Sequence, residues 1–132
     1  EKSGKFLPKE GAARVEVLNW LCFATGHVTH TGLCVHWQVR NRDSGKEHAH
    51  LNMWQEENNR VYGVLDQGLE GRDYFAHELS IADFAIYPWV YRYDMQEIKL
   101  DNYPNVRDWL TRISDRPAVK RGLQVPPRED AF

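Results

Sequence analysis

Leu79-Ser80-Ile81-Ala82-Asp83-Phe84-Ala85 spells out the start of a helix. The Ser80 hydroxyl can accept a hydrogen bond from the free amides of a first turn. Asp83, three residues on, can reach back to the Ser80 amide and close a reciprocal box, in which Glu or Gln is the commoner second member. Leu79 and Phe84 stand where a hydrophobic staple would close over that box. A helix therefore begins at Ser80, and the apolar run behind it carries it through Trp89 to about Tyr93. Pro88 removes one backbone hydrogen bond on the way and predicts a kink.

Downstream, Tyr103-Pro104 opens a fourth helix carrying Val106, Trp109, Leu110 and Ile113, with Pro104 suited to a first turn. Arg116-Pro117-Ala118-Val119 opens a short fifth one. Upstream, a helix runs from about Glu10 into the thirties. Val17, Leu18, Leu21, Cys22, Thr25 and Val28 recur on it at three- and four-residue spacing and predict one apolar face. Gly26 and Gly32 weaken its second half and predict a bend or an early end. A polar break at Asn41 to Gly45 precedes a second helix from about Ser44 to Leu69, with Leu51, Trp54, Val61, Leu65 and Leu69 on a stripe. Asn58 shares that register and needs a partner if buried. Glu56, Glu57 and Asp66 read as a solvated face. No strand pattern competes, so the chain is an all-α bundle of about five helices.

The 132 residues suit one domain, and a net charge of −2 with interspersed signs gives no footprint for nucleic acid. The apolar runs are too short to cross a bilayer, and Glu1-Lys2-Ser3-Gly4 does not open a secretory signal. Cys22 and Cys34 fall in one predicted helix, about 18 Å apart, too far for a disulfide. They read as reduced thiols, which implies a cytoplasmic location.

The stretch from Leu79 to Ala85 resembles the signature of the glutathione transferase C-terminal domain, where a buried Ser/Thr-x-x-Asp box starts the central helix. Tyr87-Pro88-Trp89-Val90, Tyr103-Pro104-Asn105-Val106 with Trp109, and Ile113-Ser114-Asp115-Arg116-Pro117-Ala118-Val119 follow in the family's order. Asn19-Trp20-Leu21 and Arg60-Val61-Tyr62-Gly63-Val64-Leu65-Asp66 resemble one branch. That branch holds the Nu-class and fungal nitrogen-regulator-like transferases, some of which reduce disulfide bonds. The resemblance spans about residues 1 to 123.

In that family a thioredoxin-like domain comes first and supplies the glutathione site and the thiol-activating residue. The resemblance thus implies a linker remnant at 1–8, the helical domain at 9–123 and a loose tail at 124–132, with the missing domain as partner. It implies no cofactor in this chain, glutathione in the full-length parent, a homodimer there, and chemistry of the kind used in detoxification. The helical domain would form the wall that receives hydrophobic small molecules: Phe23, His27, His30, Met53 and Trp54. Phe23 and Trp54 also read as core packing. The branch often carries glutamine at the position of Ala24 and arginine at that of Met53. Methionine offers no donor to a glutathione carboxylate, where arginine offers a fork.

His27, His30 and Cys34 share a helical face, with Cys22 and His36 near, but no Cys-x2-Cys pair exists and no metal site is expected. No Gly-x-Ser-x-Gly elbow or phosphate loop is present, so no catalytic residue is assigned. Two readings follow. One is the co-substrate half of a glutathione transferase-like enzyme, inactive alone. The other is a non-catalytic interaction module of the same fold.

Overall fold

The computed structural model describes residues 5–42 and 50–125. Three segments make one unbroken helical rod: α1 (Gly11–Phe23), a π-helical turn (Ala24–Val28) and α2 (Thr29–Arg40). Then come α3 (Leu51–Gly68), α4 (Ile81–Val90), α5 (Pro104–Ser114) and α6 (Pro117–Gly122). With the rod counted once, the five-helix bundle is as expected. Among the described residues the only β pairing is an isolated bridge between Ala76 and Glu78.

α4 is central. α1 packs on one side of it and α5 on another, while α2 lies along α3 and α6 closes against α5. Ile86 and Val90 of α4 meet Val61 and Leu65 of α3 and Trp109 and Ile113 of α5 in one apolar cluster. Fully burying side chains of this size contributes about 1.5–3 kcal/mol each.

The box at Ser80 is present. Ser80 Oγ accepts from the Ala82 amide at 3.2 Å, and Asp83 Oδ2 accepts from the Ser80 amide at 2.9 Å. The first helical amide, that of Ile81, is taken by the Phe6 carbonyl at 2.9 Å. Phe6 has φ +68°, a left-handed conformation rare for an aromatic residue. Its ring meets Phe84 edge-on at 5.2 Å, so Phe84 has a partner from the N-terminal segment and not only a place in a staple.

Three expectations need correction. The rod does not end near Gly26; it continues to Arg40 through a π turn, where the Thr29 amide bonds back five residues to Ala24 O. Thr25 Oγ1 donates to Leu21 O and Cys22 O at 3.2 and 3.0 Å. The buried face of the rod runs through Val17, Ala24, Val28, Thr31 and Val35, so Cys22 and Thr25 are exposed. Second, α4 ends at Val90, not Tyr93. Its last turn tightens through Arg92 N to Trp89 O and Tyr93 N to Val90 O, both 3.1 Å, and Gln96 Nε2 donates to Trp89 O at 2.7 Å. Third, Asp66 is no solvated acid. Its Oδ1 accepts from the Asn105 and Val106 amides at 2.8 and 3.1 Å and so caps α5, whose own Tyr103 supplies no side-chain cap. Ala24 belongs to the core, at 1 % exposure.

α3 is described from Leu51; its expected start at Ser44 and the tail from residue 126 lie outside the described residues. Asn58, 1 % exposed, finds its partners: Thr31 Oγ1 donates to Oδ1 at 3.4 Å, and Nδ2 donates to Gln96 Oε1 at 3.0 Å. The Tyr62 hydroxyl is the buried side-chain polar atom left without a partner among the described residues, and burial pushes its ionisation far up.

Candidate functional site

The expected wall falls along the seam between the first rod and α3. Phe23 closes α1, His27 sits inside the π turn and His30 opens α2. Across the seam, the Trp54 ring meets the His30 imidazole edge-on, centroids 5.3 Å apart and planes at 75°. One turn back, the Phe23 and His27 rings lie 5.0 Å apart at 30°, and Phe23 meets Trp20 edge-on at 5.7 Å. The result is a row of aromatic and imidazole rings, Trp20, Phe23 and His27, beside the pair of His30 with Trp54.

Exposure separates the five residues. Phe23 is half-buried and leans on the main core, so its packing role is real. Trp54 is half-buried too, while His27 and His30 are exposed and Met53 stands 51 % exposed. The structure brings Phe23, His27, His30 and Trp54 into ring contacts; it shows no such contact for Met53.

The charge at the seam comes from Glu57, on the turn after Trp54. Arg60 donates to it through Nε and Nη2, both at 2.7 Å. That fork holds the Glu57 carboxyl below its ordinary value; partial burial opposes this, and the nearby His27 adds to it. Arg60 is therefore committed to Glu57. With Met53 lacking a donor, these residues do not form a clamp for a glutathione carboxylate. What they present is a flat apolar surface carrying imidazole nitrogens.

Cys34 approaches the same place, with Sγ 4.0 Å from His30 Nε2, but burial pushes its thiol up, which disfavours a thiolate nucleophile. Both cysteines are free thiols. Among the described residues no group of three His, Cys, Asp or Glu could hold a metal ion, and no helix is long and apolar enough to cross a membrane.

This all-helical bundle has the fold of a glutathione transferase C-terminal domain. Residues 33–117 match the family described as "Glutathione S-transferase, C-terminal domain", and the chain belongs to it. Among curated relatives, it is 35% identical over 131 residues to the disulfide-bond oxidoreductase YfcG of Escherichia coli K12, spanning 93% of this chain and 57% of that protein. A solved glutathione transferase from Pseudomonas putida, with one glutathione disulfide bound per subunit, superposes with a TM-score of 0.83 at 33% identity. The match covers 95% of this chain and 57% of that one. Ure2p in complex with glutathione superposes at 0.76 with 25% identity, over 86% of this chain and 56% of that one. The chain spans about half the length of these relatives.

Proposed function

We propose that this chain is the co-substrate-binding half of a glutathione transferase-like protein of the Nu-class and nitrogen-regulator-like branch. In the full-length parent it works with glutathione held by a thioredoxin-like domain, within a cytoplasmic homodimer, to conjugate glutathione or to reduce disulfides. The helical chain by itself does not turn over. The observation that carries this reading is the ring row at the π turn: Phe23, His27, His30 and Trp54 share one seam, half-exposed, where a bundle built only for packing would bury the aromatics. The relatives' names favour the disulfide reductase arm, since YfcG is named a disulfide-bond oxidoreductase and the Pseudomonas structure holds glutathione disulfide.

Two assays test it. The 132-residue chain, given glutathione with an aryl halide or a hydroxyalkyl disulfide, should show only the non-enzymatic rate; turnover above that rate would overturn the claim that it is inactive alone. A fusion to a relative's thioredoxin-like domain should turn over, and Trp54→Ala in the fusion should raise KM for the co-substrate while leaving KM for glutathione near the parent value. An unchanged co-substrate KM would remove the wall from the site.

A further inference from the structure

At the far end of α4 from the box, Tyr87 and Tyr91 line a groove of about 300 Å³ together with Val119 of α6 and Leu123 just beyond it. A volume at the small end of the range for ligand pockets suits a body of about two fused rings. The two tyrosines stand one turn apart, ring centroids 5.5 Å from each other and planes at 31°, so they present one broad aromatic surface. Tyr91 is 41 % exposed, which leaves that surface open. Tyr87 is held in place by a 3.0 Å hydrogen bond between its hydroxyl and Ser114 Oγ. An aromatic wall fixed before a ligand arrives loses little freedom on binding.

Arg92 lines the same groove and supplies its charge. Arg42, Arg60, Arg72, Arg107 and Arg112 each hold a carboxylate of the chain. Among the described residues no carboxylate pairs with Arg92, whose guanidinium lies 6.0 Å from the Trp89 ring centroid. A guanidinium beside an indole is favourably placed yet keeps its fork of N–H donors for an oxyanion. The lining thus combines an aromatic and aliphatic body with one uncompensated cation. A neutral arene would leave the cation unused, and an aliphatic acid would leave the tyrosine surface unused.

We propose that this groove binds a small aromatic carboxylate, its ring laid on Tyr87 and Tyr91 and its carboxylate on Arg92. Val119 and Leu123 give the ring its remaining apolar contact. The groove shares no residue with the wall at Phe23, His27, His30 and Trp54, so its test does not depend on the co-substrate reading.

The test is a nuclear magnetic resonance titration of the 132-residue chain with 2-naphthoate, beside 2-naphthamide as the uncharged match and cyclohexanecarboxylate as the match without an aromatic ring. Naphthoate should shift the Tyr91, Arg92 and Leu123 amides to saturation. A hydrogen bond to a charged group is worth about tenfold or more in affinity, so naphthamide should bind the parent at least that much more weakly. Arg92→Gln should bring naphthoate down to the naphthamide level, and Tyr91→Ala should weaken both aromatic probes. Cyclohexanecarboxylate should bind more weakly than naphthoate. Equal affinity for naphthoate and naphthamide in the parent would overturn the proposal, whatever the variants do. So would shifts that never saturate, or shifts gathered at His30 and Trp54 in place of the groove.

Discussion

Trp109 and Asp83 meet inside the bundle: the indole Nε1 donates to Asp83 Oδ1 at 2.9 Å, and both residues have 0 % exposure. The same oxygen accepts from the Phe75 amide at 3.2 Å, while Oδ2 accepts from the Ser80 amide and hydroxyl at 2.9 and 3.0 Å. One carboxylate thus ties α5, the segment before the box and the head of α4. Asp83→Ala strands three buried N–H donors, and the expected loss is about 3–5 kcal/mol, where a simple cap would account for about 1. Trp109→Phe strands only the acceptor side and should fall between. His27→Ala and Met53→Ala, at the exposed wall, should stay within about 0.5 kcal/mol of the parent. Chemical denaturation of the four variants checks the order; an Asp83→Ala chain as stable as the parent would mean the cap is not structural.

Asp66 caps a helix 39 residues further along the chain. Asp66→Ala should lower stability by about 0.5–2 kcal/mol, and Asp66→Asn by less, since an amide oxygen still accepts. Glu56→Ala, an exposed acid on the same helix, is the control and should change little. Urea midpoints of the three decide it; if Asp66→Ala and Glu56→Ala coincide, the cap carries no weight.

Two glycines of α3 should respond to alanine with opposite signs. A Cβ on Gly68 would collide with the six-membered ring of the Trp20 indole, whereas a Cβ on Gly63 meets nothing within 4 Å. Gly63→Ala should stabilise by about 0.5–1 kcal/mol through helix propensity alone. Gly68→Ala gains the same term but forces Trp20 out of place, and overpacking of that kind costs about 1–3 kcal/mol. Thermal melts should therefore move in opposite directions; a rise for both would show that Trp20 yields freely.

Glu97 gives the fold an acid-sensitive clamp. Its Oε2 accepts from Arg42 at 2.8 Å and from Gln55 at 2.6 Å, joining the end of the first rod to the start of α3. The Arg42 hydrogen bond holds the carboxyl below its ordinary value of 4.5, with burial opposing. A carboxyl whose folded value is depressed stabilises fully above its unfolded value, and that stability is lost as pH falls through the folded one. The clamp is solvent-exposed, so the effect is small. Melting temperature should drop between pH 5 and about pH 3 more in the parent than in Glu97→Gln. Parallel curves would show that the pair contributes nothing.

What the sequence reveals is what is local. Ser80 and Asp83 lie within one turn of each other, so their spacing alone predicts the box, and Asn58 announces its need for partners by its register with Leu65 and Leu69. Asp66 is not legible in this way, because its partners belong to a helix whose position depends on packing. A signal did exist: Tyr103 offers α5 no capping oxygen, so another element had to supply one. The inward set of the first rod escapes for another reason. A constant 100° step from Val17 already puts Ala24, Val28, Thr31 and Val35 on one face, but Thr31 and the small Ala24 carry little apolar signal, and the apolar types at Leu18, Leu21 and Cys22 draw the stripe to a neighbouring face. The wall rests on the resemblance: Phe23 pairs with His27 and His30 with Trp54, and Met53 carries no periodic signal by which to judge it.

The hydrogen bond from the Ile81 amide to the Phe6 carbonyl has a mechanical consequence. Tension on the backbone ahead of Phe6 is delivered to the first turn of the innermost helix, through one peptide group and the Phe6–Phe84 ring pair. In the same way, a rotation of whatever lies upstream is felt at Ser80 before it reaches the outer helices. The short stretch around Phe6 is a lever arm that bears on the head of α4.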